Sequence, residues 1–125
     1  MKLLLDTSIL LWSAADKLPA AAEDYLLDES NDLLFSPASI WEVVVKRGLN
    51  RNDFEVDPQL LYSGLIENGY EQLLITARHT LMTATLPMIH DPFDRILLAQ
   101  SITESITLLT SDKKMSVYPA SIILV

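Results

Sequence analysis

Two short apolar runs, each closed by an aspartate, limit this chain's fold more than any other feature: "LLLD" at residues 3–6 and "TLLTSD" at residues 107–112. Leu3–Leu5 reads as a short buried strand, and Ile106–Thr110 as the clearest late one. Between them the pattern alternates. Helices are expected over Ile9–Ala15, Pro19–Leu27, Pro37 to about Gly48, Pro58–Asn68, Ala77–Thr85 and Pro92–Glu104, with strands at Asp32–Phe35, Gln72–Ile75 and Ile122–Leu124. Asn50–Pro58 is polar and irregular. Strands alternating with helices imply an α/β sandwich with a mainly parallel sheet. The carboxyl ends of parallel strands share one edge, where ligands of open α/β sheets bind. That rule brings Asp6 and Asp112 to the same place.

A chain of 125 residues that is half hydrophobic suits one domain spanning 1–125, and there is no repeat, low-complexity tract or linker to divide it. No apolar run approaches the roughly 18 residues of a membrane span, since Asp6, Asp16 and Asp28 interrupt the leucine-rich start. The first residues do not read as a secretory signal. The absence of cysteine excludes disulfides, zinc–thiolate sites and cysteine nucleophiles, and a cytoplasmic location is expected. A net charge of −8 weighs against a general grip on nucleic acid. A local basic patch is still available, because Lys46, Arg47 and Arg51 cluster and Lys113–Lys114 follow Asp112. Bound divalent cations would offset part of the negative charge.

Four acids lie at expected strand ends or helix starts: Asp6, Glu42, Asp94 and Asp112. Each has an ordinary explanation. Asp6 suits a cap for the next helix. Glu42 completes a capping box with Ser39 in one register; in the other, with Ser36 as cap and Pro37 first, it lies inside a helix with no capping task. In "HDPFDRILLAQS", Asp91 suits the N-cap, Pro92 the first helical position, and Asp94 the favourable end of the helix dipole. Asp112 suits the cap of a short last helix. Taken together they suit Mg²⁺ or Mn²⁺, which take oxygen ligands on open sites. Four converging carboxylates without a cation would repel and take up protons.

Other chemistries find less. Three isolated glycines exclude a P-loop or a GxGxxG turn. "LDTS" is similar to the nucleophile motif of haloacid dehalogenase-like phosphatases, which need a second Asp where this chain has Ser8. His79 and His90 read as surface or cap residues, and Trp12 and Trp41 as core. Trp12, Tyr25 and Leu26 suit core or interface equally.

"LLLDTSILLW", "SPASIWEVVVK", "HDPFDRILLAQS" and "LLTSD", in series along nearly the whole chain, resemble the PIN-domain family, above all its VapC-type toxins of toxin–antitoxin pairs. The resemblance implies a PIN-like three-layer α/β/α sandwich and a Mg²⁺- or Mn²⁺-dependent endoribonuclease. It also implies a tightly bound antitoxin and a homodimer. The family's metal-binding, catalytic acids fall on Asp6, Glu42, Asp94 and Asp112, with Thr7 and Thr110 at supporting hydroxyl positions and Asp91 left to capping. A metal-activated water would attack an RNA phosphodiester in line. Lys46, Arg47, Arg51, Arg95 and Lys113 are the expected RNA contacts. The competing expectation is a non-catalytic PIN-like module that engages a protein partner; a small phosphatase ranks last.

Overall fold

In the computed structural model, which describes residues 1–87 and 91–125, the first leucine run forms the centre of a sheet. β1 (Lys2–Leu5) pairs with β2 (Asp32–Phe35) on one side and with β4 (Thr107–Thr110) on the other. β3 (Glu71–Gln72) continues past β2, and β5 (Ile122–Leu124) past β4. The order is β3-β2-β1-β4-β5, and every pairing among the described residues is parallel.

Side chains alternate across each strand, so a continuous apolar run must be covered on both faces. Leu3, Leu5, Phe35 and Leu109 enter one core with Ile9 and Leu10 of α1 (Thr7–Ala14), Val43 of α3 (Pro37–Gly48), and Leu61 and Leu65 of α4 (Pro58–Glu67). Leu4, Leu34 and Leu108 enter the other with Leu97 and Leu98 of α6 (Pro92–Glu104) and Met115. Helices therefore lie on both sides of the sheet, which is the three-layer sandwich expected. Trp12, together with Tyr25 and Leu26 of α2 (Ala20–Leu27), packs partly buried against the first core.

Three helices open on a cap followed by proline, and each cap is made. The Ser36 hydroxyl accepts from the Ala38 N–H (3.1 Å), Asp57 from Gln59 (2.8 Å), and Asp91 from Asp94 (2.9 Å). Proline at the first position forfeits no helical bond, so these starts fall where expected.

Departures occur where other groups compete for the backbone. The strand expected over Gln72–Ile75 pairs only at Glu71–Gln72; the Leu73 N–H still reaches Phe35 O (2.8 Å), but Leu74 and Ile75 turn out to solvent. α5 (Ala77–Met82) gives way to a 3₁₀ turn at Thr83–Thr85, whose Thr83 and Thr85 hydroxyls bond carbonyls three residues back. Asn50–Pro58 contains a 3₁₀ turn at Asn52–Phe54 that buries Phe54. Ile106 does not enter β4, because its N–H and carbonyl both bond to Ser101.

Candidate active site

The order of strands reverses at β1: the chain builds outward through β2 and β3, then returns to β4 and β5. Such a switch point leaves a crevice at the carboxyl ends of the strands. Asp6 lies there, one residue beyond β1. Its Oδ1 accepts from the Thr7 N–H (2.7 Å), capping α1, and its Oδ2 accepts from the hydroxyl of Thr110, the last residue of β4 (2.6 Å). Thr110 Oγ1 in turn accepts from the Asp112 N–H (3.0 Å). One threonine thus ties the ends of β1 and β4 together. Asp112 accepts from the Lys114 N–H (2.9 Å) and caps a 3₁₀ turn at Lys113–Val117. Thr7 donates to Ser39 Oγ (2.9 Å), which fixes α3 against α1.

Ser36 is the cap of α3, so Glu42 lies in the helix interior. The buried face of α3 is Ala38, Ser39, Glu42 and Val43. The helix therefore turns a carboxylate inward and leaves Trp41 59% exposed, edge-to-face against Phe93 with ring centroids 5.0 Å apart. The expectation that Trp41 is core is thereby corrected. Glu42 Oε2 pairs with Lys46 Nζ, one turn on (2.5 Å); Glu42 Oε1 is buried and makes no hydrogen bond. Lys46 also lies 3.4 Å from Asp91 Oδ2 and over the rings of Phe54 and Phe93. Burial alone would lower the pKa of this ammonium, but Glu42 and Asp91 outweigh it and hold the pKa above the usual lysine value.

Asp94, in the first turn of α6, is pushed up to about 8, chiefly by burial and then by the charges of Asp6, Asp91 and Glu42. Burial also raises Asp6; the bonds from Thr110 and Thr7 pull it back, and Glu42 and Asp112 add to the rise. The neighbouring carboxylates are thus near enough to disfavour the ionised forms of Asp6 and Asp94.

Asp6, Glu42, Asp94 and Asp112 all line one cleft of about 740 Å³, together with Thr7, Ser8, Lys17, Asn52, Phe54 and Glu55. Among the described residues, no group of three or more His, Asp or Glu side chains is set so as to hold a metal ion. The donor chemistry nonetheless fits a hard divalent cation. All four acids offer carboxylate oxygen, one such oxygen of Glu42 is buried without a partner, and Asp94 is driven toward its neutral form by burial first and by its acidic neighbours second.

The expected substrate contacts separate. Lys46 lies within the acid group rather than on its rim. Arg95 turns away, its guanidinium donating to Thr83 O (2.5 Å). Arg47 stands 3.7 Å from Asp57. With Arg51 it lines a second pocket that shares Asn52, Phe54 and Glu55 with the cleft. Lys113 is exposed directly after Asp112. His79 is a cap residue but not a surface one: buried, it accepts from the Thr76 N–H through Nδ1 (2.9 Å) and meets Glu104 through Nε2 (2.9 Å). His90 lies outside the described residues. Sequence reasoning missed Lys17 and Phe54 as cleft residues. Phe54 was the detectable one, a lone aromatic in a polar stretch.

The fold is that of known structures. The chain is 21% identical to a chain of VapBC2 from Rickettsia felis bound to a promoter DNA fragment, with a TM-score of 0.72, covering 100% of this chain and 98% of that one. DNA-bound VapBC from Salmonella typhimurium gives 16%, 0.70, 100% and 97%, and VapBC-1 from nontypeable Haemophilus influenzae 15%, 0.70, 99% and 98%. A comparison with curated proteins finds no match. The model of the PIN domain family matches residues 3–120, nearly the full length, and the chain belongs to that family.

Proposed function

We propose that the chain, acting as one domain over residues 1–125, is a Mg²⁺- or Mn²⁺-dependent endoribonuclease and the toxin of a toxin–antitoxin pair. The observation that supports the reading is the shared cleft at the switch point, which four acids of a PIN domain line, one of them with a carboxylate oxygen buried and unpartnered. Asp6, Asp94 and Asp112 would hold the cation, and Glu42 would complete the set or orient the attacking water. A divalent ion bound there supplies polarisation of a phosphoryl oxygen and acidification of water.

The chain's own residues do the rest. Thr110 and the Thr7 N–H fix both oxygens of Asp6, so that carboxylate is aimed before substrate arrives. Asp91 holds the first turn of α6 through the Asp94 N–H and so sets the position of Asp94. Glu42 Oε1 is the acceptor available for a proton of the attacking water. Water attacks phosphorus in line, the bond from phosphorus to the leaving oxygen breaks, and that oxygen takes up a proton. Arg47, Arg51 and Lys113 steady flanking phosphates.

An antitoxin is part of the proposal because similar folds occur in toxin–antitoxin complexes. A groove of about 660 Å³ between α1, α2 and α4, with Leu27 and Leu60 exposed at its lips, suits an apolar helix of such a partner. The same groove, with no preformed metal cage among the described residues, favours the second reading of a non-catalytic binding module.

One experiment separates the two readings. Partner-free protein is incubated with total RNA and Mn²⁺, beside Asp94→Asn and an EDTA control. Discrete fragments from the wild type with metal alone support the nuclease. Cleavage retained in Asp94→Asn, in a preparation free of contaminating nuclease, overturns the site. No cleavage from folded wild type favours the binding module.

A further inference from the structure

Lys46 is more than an ion-paired helix residue. Its ammonium sits among four groups that each attract a cation: Glu42 Oε2 at 2.5 Å, Asp91 Oδ2 at 3.4 Å, and the faces of Phe54 and Phe93 at 4.8 and 5.8 Å from the ring centroids. Two carboxylates and two aromatic faces make a built seat for one positive charge. The seat is shielded on the Glu42 side and open on the Asp91 side, with 17% of the Lys46 side chain, 5% of the Glu42 side chain and 38% of the Asp91 side chain exposed. It is also adjacent to the metal-type acids, since Glu42 is one of them and the Lys46 charge acts on Asp94.

The arrangement is unequal at its two ends. Glu42 gives Lys46 one oxygen and keeps the other buried and unpaired. Asp91 uses Oδ1 to cap α6 and presents Oδ2 to Lys46 at the longer distance. A small swing of the flexible lysine stem would move the ammonium from the first carboxylate to the second. That would release both oxygens of Glu42 while keeping the cation over the two rings.

We propose that Lys46 is a resident cation that leaves only Oε1 of Glu42 to the metal set, and that a divalent ion gains Oε2 as well only as Lys46 shifts to Asp91. This rests on the metal-dependent reading given above. It accounts for two observations at once: four acids share a cleft, yet no three of the described residues form a metal cage. Lys46 then opposes metal binding in two ways, by occupying one oxygen of a ligand and by placing a positive charge beside a doubly positive one. It sets the metal concentration at which the site fills.

Calorimetric titration of metal-stripped protein with Mn²⁺ tests this, using wild type, Lys46→Met, Glu42→Gln and the double variant. Methionine keeps an unbranched apolar stem against Phe54 and Phe93 and removes only the charge. Lys46→Met is expected to bind Mn²⁺ about tenfold tighter or more. The gain should shrink to less than half, on a logarithmic scale, in the Glu42→Gln background. An unchanged or weaker Kd overturns the proposal, as does a gain of equal size in both backgrounds. A purely structural lysine would lower the melting temperature without moving Kd. Wild type also gives a reading that does not depend on the variant folding: the ¹⁵N resonance of the Lys46 Nζ should move when Mg²⁺ saturates the site, and a resonance that stays put refutes the shift. Absence of any metal binding by wild type and variants alike would overturn the metal-dependent reading itself, and this proposal with it.

Discussion

Asp94→Asn should stabilise the metal-free protein at alkaline pH and leave it nearly unchanged in acid. Asp94 titrates at about 8 in the folded chain, against an ordinary value of 3.8, because burial and the charges of Asp6, Asp91 and Glu42 all oppose its ionisation. Below pH 3.8 the group is protonated in both folded and unfolded chains and costs nothing. Between 3.8 and 8 the unfolded chain releases its proton and the folded chain retains it, so wild-type stability falls as pH rises through that window and levels off above 8. The full gap corresponds to ~6 kcal/mol at 1.36 kcal/mol per unit. Asp94 is only partly buried, and solvent screening reduces this to ~2–3 kcal/mol.

Asparagine cannot ionise and keeps the backbone N–H that Asp91 caps, so the variant lacks this slope. It forgoes the favourable helix-dipole interaction of a charge in the first turn, which returns ~0.3–1 kcal/mol. The remaining carboxylates titrate in both proteins, so their contribution largely cancels in the difference. The assay is urea denaturation of wild type and Asp94→Asn in EDTA from pH 4 to pH 9. The variant's advantage should grow from about zero to ~1.5–2.5 kcal/mol, mostly between pH 5 and pH 8. Saturating Mn²⁺ at pH 8 should reverse the order, since an ion at 100 times its Kd adds ~2.7 kcal/mol to the protein that binds it. Parallel pH curves in EDTA would refute the reasoning, because they would mean that Asp94 is not held against the charges of its neighbours.

Two further substitutions test the supports of the site. Asp91→Ala removes the cap on the Asp94 N–H and the second carboxylate facing Lys46, and should cost ~1 kcal/mol, a fall of about 4 °C in melting temperature, with Asp91→Asn recovering most of it. Thr110→Val is nearly isosteric but leaves a buried oxygen of Asp6 and the Asp112 N–H without their partner; a loss of ~2–3 kcal/mol in chemical denaturation is expected, and Thr110→Ser should retain most of the stability.

The parts of the fold that were legible in the sequence are those written in local chemistry. Ser36-Pro37, Asp57-Pro58 and Asp91-Pro92 each contain a complete instruction for a helix start, a side-chain acceptor followed by a residue with no N–H to satisfy, and the three helices begin there. The leucine runs of β1 and β4 were legible because a strand covered on both faces needs no polar alternation. What failed locally depended on contacts that apolar spacing does not encode. β3 stops at Gln72, where Gln100 of α6 takes the Leu73 carbonyl. α3 turns Glu42 inward and Trp41 outward, against every hydrophobicity rule, because the groups around that face are the Lys46 ammonium and the Thr7–Ser39 hydroxyl pair. Apolar spacing misplaced Trp41, whereas the register with Ser36 as cap and Pro37 first already put Glu42 inside the helix with no capping task.

That inversion also bears on how an acidic protein can engage a polyanion. A net charge of −8 describes the far field; substrate in a cleft feels the charges that line it. Of nine basic residues, Lys17 lines the acid cleft, Lys46 lies within the acid group, Arg47 and Arg51 line the pocket continuous with it, and Lys113 and Lys114 follow directly on Asp112. Six of the nine therefore gather at the carboxyl edge of the sheet, around the acids. The two signs have different tasks there: the carboxylates suit a small hard cation, and the arginines beyond Phe54 suit phosphates on either side of the bond that this cation would polarise. Phe54 touches both groups, with Lys46 over its ring at 4.8 Å and Arg51 over it at 5.5 Å. On the proposed reading, an overall negative charge is no obstacle to binding RNA locally once the cation is present. Without it, the acids would repel the same phosphates that the arginines attract, which would make metal loading and substrate binding two aspects of one electrostatic balance.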